Sequence, residues 1–222
     1  IIRAVVATAG AVAVALAGAV AVAPERAEAL TAGDFDPGMT TNHSIFFDED
    51  TMTASSIQSF LNGKVSSCRA GYTCLKDYRE TTWTRPADPM CSTYTGAANE
   101  TAATIIFKVA QACGINPQVL LVTLQKEQGL VTHTYPSSGR FQRAMGYGCP
   151  DTSPCNTEFY GFYNQVYKAA WAFQRYGMPS GTGPGTPYTT NYSWFPVGQA
   201  IGILYHPNSG CGRKTVTIQN KA

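Results

Sequence analysis

One carboxylate stands where a soluble chain has little reason to put it. The stretch INPQVLLVTLQKEQGL, residues 115–130, has the spacing of a single helix. In it Leu120, Thr123, Leu124, Glu127 and Val131 recur at i, i+3, i+4, i+7 and i+11 and so share a face, while Lys126 points away. Glu127 is therefore expected at the end of an apolar stripe, close to the helix C-terminus. Desolvation disfavours a carboxylate, and the partial negative charge of a helix C-terminal end acts in the same direction. A glutamate kept protonated near neutral pH is what a general acid requires. The plainer alternatives are that Glu127 pairs with Arg140 or Arg143, or that it turns to the surface as the helix ends.

The elements that must position Glu127 are legible around it. NETAATIIFKVAQACG predicts a helix capped by Asn99, with Ala102, Ile105, Ile106, Val109 and Cys113 at helical spacing and Gly114 as its stop. Asn116 and Pro117 open the helix that carries Glu127, as cap and first helical residue, and it runs to about Gly129. A third long helix is expected over about 159–176, with Phe162, Val166, Ala170 and Phe173 along one side. Upstream, TASSIQSFLNGK reads as a short helix capped by Thr53 or Ser55, burying Ile57, Phe60 and Leu61 and ended by Gly63. Residues 30–52 read as a polar, extended lead-in, and 65–96 as loops held by cysteines. GMPSGTGPGTPYTTN, residues 177–191, reads as a surface loop, and roughly 202–205 with 214–219 as a small β-hairpin. The sum is an α+β chain, mainly α, with long disulfide-tied loops and a small β element, expected to form a single domain over 30–222.

The N-terminus and the cysteines point to export. Arg3 precedes an Ala/Val-rich run, and Ala27-Glu28-Ala29 supplies an A-x-A cleavage site, so residues 1–29 read as a signal peptide, with a membrane anchor as the alternative. Of seven cysteines, Cys68 with Cys74 and Cys149 with Cys155 are spaced to close short loops, and Cys91 and Cys113 flank a helix and suit a third pair. Cys211 is left over, which suggests a partner further along a chain that is truncated at its C-terminus. No metal or other cofactor is expected: there is no C-x2-C pair, and His43, His133 and His206 are isolated. A net charge of +2 and the lack of a basic run interleaved with aromatics argue against nucleic acid. With only 14% charged residues and many Gly, Ser, Thr, Asn and Tyr, the composition is one common among carbohydrate-handling exported proteins. The chain has no G-x-S-x-G elbow, no H-E-x-x-H pair and no phosphate-binding glycine loop.

LLVTLQKEQ, then AMGY, then NQVYKAAWAFQRY follow one another in the order and spacing of a known superfamily. Residues 99–177 resemble the lysozyme-like lytic transglycosylases and goose-type lysozymes. The stretches SSIQSFLN, CLKDYR and AMGYGCPD are closer still to secreted actinobacterial proteins often described as hemagglutinin-like. The resemblance implies a lysozyme-like helical domain in which Glu127 is the catalytic acid, Ala144-Met145-Gly146 the loop after it, and Asn164 the asparagine opening the next helix. It further implies a monomeric, secreted, wall-associated enzyme on peptidoglycan glycan strands, with no membrane contact once the signal is removed. Gln128 stands where that family usually has Ser, and Tyr147 where it has Leu or Met. The residues expected against the sugar are Gln128, Met145, Gly146, Tyr147, Asp151, Tyr160 and Asn164.

Cleaving a glycosidic bond takes an acid and, in most enzymes, a second carboxylate. Asp151, inside the Cys149–Cys155 loop, and Glu158 are the nearest in sequence, though Asp151 also suits a plain turn and Glu158 a first helical turn. The transglycosylases that the chain resembles manage without one, because a hydroxyl of the substrate attacks instead. Hydrolysis and transglycosylation therefore both stay open, as does a rival reading in which the same fold only binds the wall. Tyr147, Tyr192 and Trp194 are placed to stack on sugar rings, whereas Tyr163, Tyr167 and Trp171 sit inside a helix and read as core.

Overall fold

A computed structural model describes residues 36–176 and 196–220. The expected signal peptide, the 177–191 loop, and Tyr192 and Trp194 lie outside the described residues.

The middle of the chain is organised by a helix that is apolar over most of its surface. Residues Ala102–Cys113 form α3, and eight of these twelve are buried. Such a helix must be surrounded by others. Three earlier-described segments supply the cover: α2 (Ala54–Lys64), α4 (Pro117–Gln128) and α6 (Phe162–Tyr176) all pack on α3. Ile105, Ile106 and Val109 of α3, Ile57 and Leu61 of α2, Leu120 and Leu124 of α4, and Val166 of α6 are all but fully buried in one cluster. Each contributes about 1.5–3 kcal/mol of transfer free energy.

Helix ends follow the expected chemistry in four places. Thr53 caps α2 in a capping box with Ser56, its side chain accepting from Ser56 N and its own N–H donating to Ser56 Oγ. Asn116 caps α4, with Pro117 at its first position, and Gly114 and Gly129 close α3 and α4. The cap of α3 differs from expectation. Asn99 adopts φ +55°, and Glu100–Thr101 first pair as strand β2 with β1 (Arg79–Glu80) before Thr101 caps the helix. A two-residue strand is too short to leave a period in the sequence. In α2 the helix runs through Gly63 to Lys64, and Phe60 is exposed under Lys64, whose ammonium lies over its ring.

The lead-in is not extended throughout. Asn42 caps a short helix α1 (His43–Phe46), and Asp48 caps a 3-10 turn at Glu49–Thr51. Phe46 meets Phe173 of α6 edge-on at 5.5 Å, and Asn116 Nδ2 donates to Ile45 O at 2.8 Å. Tertiary contacts thus fix a turn whose sequence is too short for periodicity. A further short helix, α5 (Ser138–Gln142), follows α4. The tail forms the expected hairpin, β3 (Ala200–Leu204) against β4 (Arg213–Thr217), and Gln219 N donates to Gly38 O at 2.9 Å. The three expected disulfides are formed, Cys68–Cys74, Cys91–Cys113 and Cys149–Cys155, and Cys211 is free and exposed. Among the described residues no helix is long and apolar enough to cross a membrane, and no cluster of potential metal ligands occurs.

The short sheet puts two carboxylates opposite each other, Glu80 on β1 and Glu100 on β2. Like charges in register repel, and the fold gives the two different environments. Glu100 is buried, which opposes ionisation. Lys108 at 2.5 Å, the hydroxyl of Thr82 and that of Tyr94 at 2.6 Å outweigh burial and hold its carboxyl below the usual range. Its ionised form therefore stabilises the fold at neutral pH, and that contribution is lost as pH falls through the depressed value. Glu100→Gln is expected to cost about 1–3 kcal/mol at pH 7. It should also flatten the loss of stability on acidification, both effects read from urea midpoints between neutral and acid pH.

Candidate functional site

Glu127 lies at the edge of the buried face of α4, not within it. Pro117, Leu120, Leu121 and Leu124 are the buried residues of that helix. At 3.6 residues per turn the direction of Glu127 is about 70° from the centre of their stripe. Thr123 is half-buried for the same reason. The Glu127 side chain stays 32% exposed and its Oε1 is 3.4 Å from Lys126 Nζ. The burial that the spacing predicts for Glu127 is thus not present, whereas Val131, three residues past the helix end, is buried. The two arginines considered as partners are engaged nearby: Arg140 donates to Gln128 O, and the Arg143 guanidinium lies beside Gly139.

What approaches Glu127 is backbone. Gly146 has φ +69°, and a Cβ built on it would fall 2.9 Å from Glu127 Oε2. Only glycine combines that conformation with that approach. Gly148, at φ +70°, is confined in the same way by the Phe159 ring, which a Cβ would meet at 2.4 Å. The fold therefore brings Gly146 of the 144–148 loop close to the Glu127 carboxylate.

A single amide holds this loop. Gln165 of α6 is fully buried. Its Oε1 accepts from Met145 N at 3.2 Å and Tyr147 N at 3.1 Å, while its Nε2 donates to Tyr147 O at 2.9 Å and Phe159 O at 2.7 Å. The sequence reading missed Gln165 although the signal was there: it sits with Phe162, Val166 and Ala169 on the buried face of α6, a polar group at a core position.

The other expected residues divide by depth. Met145 and Asn164 are buried. Asn164 Nδ2 donates to Glu158 O at 2.8 Å, and its Oδ1 accepts from the Arg85 guanidinium, which lies over the Tyr167 ring. Tyr147 and Tyr160 are half-buried, and Tyr147 meets Phe159 edge-on at 4.9 Å. Gln128 is half-buried at the helix end. Asp151 is an exposed turn residue in the Cys149–Cys155 loop, and Glu158 is exposed in a 3-10 turn over Thr157–Phe159.

A second acid that the sequence did not single out lies below α6. Glu80 accepts the Tyr163 N–H at 2.9 Å, in the first turn of that helix, and bonds the Tyr78 hydroxyl. Burial raises its carboxyl above the usual range, opposed by those two hydrogen bonds. The Tyr78 hydroxyl is pushed up to about 12 by burial and by Glu80. RETTW carries no period that would have marked it.

The match of a family model fixes the relationship of the chain. Residues 39–177 fit the family described as LasA, N-terminal domain. The chain belongs to that family. The LasA N-terminal match takes in Glu127, the 144–148 loop and Gln165, and contains the whole stretch in which the motifs were found. No curated protein and no solved structure matches the chain.

Two outcomes follow for this LasA N-terminal domain. Gln165→Leu removes the bonds of three loop groups and of Phe159 O, and is expected to cost about 3 kcal/mol or more in denaturant unfolding. Glu80, with its carboxyl raised, favours the fold in its neutral form, so that contribution is lost as pH rises through the raised value. Glu80→Gln keeps an acceptor for Tyr163 N, and should abolish that part of the decline in urea midpoint above the ordinary glutamate range.

Proposed function

We propose that this chain is a secreted cell-wall enzyme that cleaves peptidoglycan glycan strands at the MurNAc–GlcNAc bond, with Glu127 as general acid. The observation that carries the reading is the close approach of Gly146 to the Glu127 carboxylate, where a Cβ would fall 2.9 Å from Oε2. It puts a solvent-reachable acid against a loop that cannot move away, because Gln165 holds it on both sides. Membership of the LasA N-terminal family supports a role at the cell wall, LasA being a secreted peptidoglycan-cleaving enzyme. Three disulfides suit an exported chain. The lysozyme-like resemblance supplies the finer assignment of the bond and of the acid.

In this mechanism protonated Glu127 gives its proton to the bridging oxygen as the bond from the anomeric carbon to that oxygen breaks. The positive charge that develops on the sugar ring is taken up by an attacking oxygen. Glu127, now a carboxylate, removes the proton of that nucleophile, which is water in hydrolysis or a hydroxyl of the same sugar in lytic transglycosylation. Gln128, Gly146, Tyr147, Asp151 and Tyr160 border the sugar, while Met145 and Asn164 support the site from beneath. No cofactor takes part.

A second reading keeps the fold and drops the turnover: a module that binds wall carbohydrate. The exposure of the Glu127 side chain and its ion pair with Lys126 favour it, since both are what an ordinary surface carboxylate shows. Digestion of purified peptidoglycan separates the two. The chain is expected to release soluble fragments, and Glu127→Gln to release them at least about 100-fold more slowly. Mass spectrometry of the fragments distinguishes anhydro ends from reducing ends. Equal release by both proteins removes Glu127 from the mechanism, and binding without release by either establishes the module.

A further inference from the structure

A cleft of about 610 Å³ opens beside α5, lined by its Ser138, Phe141 and Gln142, and Glu127 is not among its lining residues. We infer that this cleft is a separate glycan-binding subsite, which holds N-acetylated amino-sugar units of the strand that Glu127 cuts. The inference rests on the proposed function and adds a place for the polymer away from the bond that breaks.

Its walls are built rather than incidental. Tyr78 stacks face to face on Phe141, with centroids 4.1 Å apart and planes 9° from parallel, and both meet Phe162 of the core edge-on. The opposite rim carries Tyr72 and is closed by the Cys68–Cys74 disulfide. Arg69 N donates to Thr134 O at 2.8 Å and ties that rim to the segment before α5. The floor is joined by Gly161 N donating to Gln142 O at 3.2 Å.

The chemistry of the lining selects the occupant. Tyr72 is 45% exposed and meets Tyr135, itself 51% exposed, edge-on at 6.1 Å. An exposed aromatic ring suits the apolar face of a sugar ring. Ser138, its neighbour Ser137 and Gln142 offer neutral hydroxyl and amide groups that match hydroxyls and acetamido groups. The one charged lining residue is Arg79, one of whose amino groups donates to Asn99 O, leaving further donors for the hydroxyl, acetamido and lactyl carbonyl oxygens of the sugar units. Glu80 is not among the lining residues but adjoins them, bonding the Tyr78 hydroxyl and lying beside Gly161. Position completes the case: Gln142 borders the cleft and Gly146 borders Glu127, four residues or at most about 14 Å apart along the chain.

The test uses Glu127→Gln protein, titrated by calorimetry with chitohexaose in one arm and with a free stem pentapeptide in the other. Chitohexaose is expected to bind, and adding Tyr72→Ala or Gln142→Ala to weaken it about tenfold. Tyr72 is exposed, and an unchanged circular dichroism spectrum shows that its loss leaves the fold intact. Unchanged chitohexaose affinity in both double variants overturns the subsite. So does binding of the pentapeptide alone, which would make the cleft a peptide site. The outcome is separate from that of the cleavage test: a chain that binds chitohexaose through Tyr72 and cuts nothing keeps the subsite and loses the acid.

Discussion

The candidate site depends on one buried side-chain amide satisfying four backbone groups. The 144–148 loop turns twice through left-handed glycines, so its own peptide groups cannot form a ladder. Buried backbone donors and acceptors left without partners cost about 1–3 kcal/mol each. Gln165 supplies both kinds of partner from one planar group, and it does so from a helix packed on the central α3. The loop therefore inherits the rigidity of the core, and the carboxylate of Glu127 meets a surface whose shape is set elsewhere.

The same helix is anchored at its other face by acid chemistry. Its N-terminal N–H at Tyr163 is taken by Glu80, whose partner across the short sheet is Glu100. Two facing carboxylates are tolerable because one is surrounded by Lys108 and two hydroxyls and ionises readily, while burial keeps the other's proton more firmly. Asn164 and Arg85 add a third link, fixing the turn before α6 through Glu158 O. Framework and candidate site thus share α6, and the polar groups on it are structural supports as much as they are chemistry.

Sequence patterning carried the long helices, the glycine stops of α3 and α4, the Asn116-Pro117 start, the tail hairpin and the three cysteine pairs, all of which follow from local spacing. It failed where tertiary contact decides. The caps and turns before α2 and the strand at Glu100–Thr101 are too short to leave a period. Glu127 came out on the apolar stripe because a wheel gives direction and not depth, and the stripe's centre is set by what α3 covers. Gln165 was open to the same reasoning that singled out Glu127. Glu80 was not, since its importance comes from Tyr163, 83 residues away.

The order of the disulfides has a consequence for how such a chain matures. The paired cysteines are 6, 22 and 6 residues apart, and each pair is complete before the next begins. A chain threaded out of a cell N-terminus first presents each of these six cysteines to its native partner before any competitor arrives. Pairing each newly exposed thiol with the one before it yields the native connectivity without reshuffling, and Cys211 enters last, when no open thiol remains among the six.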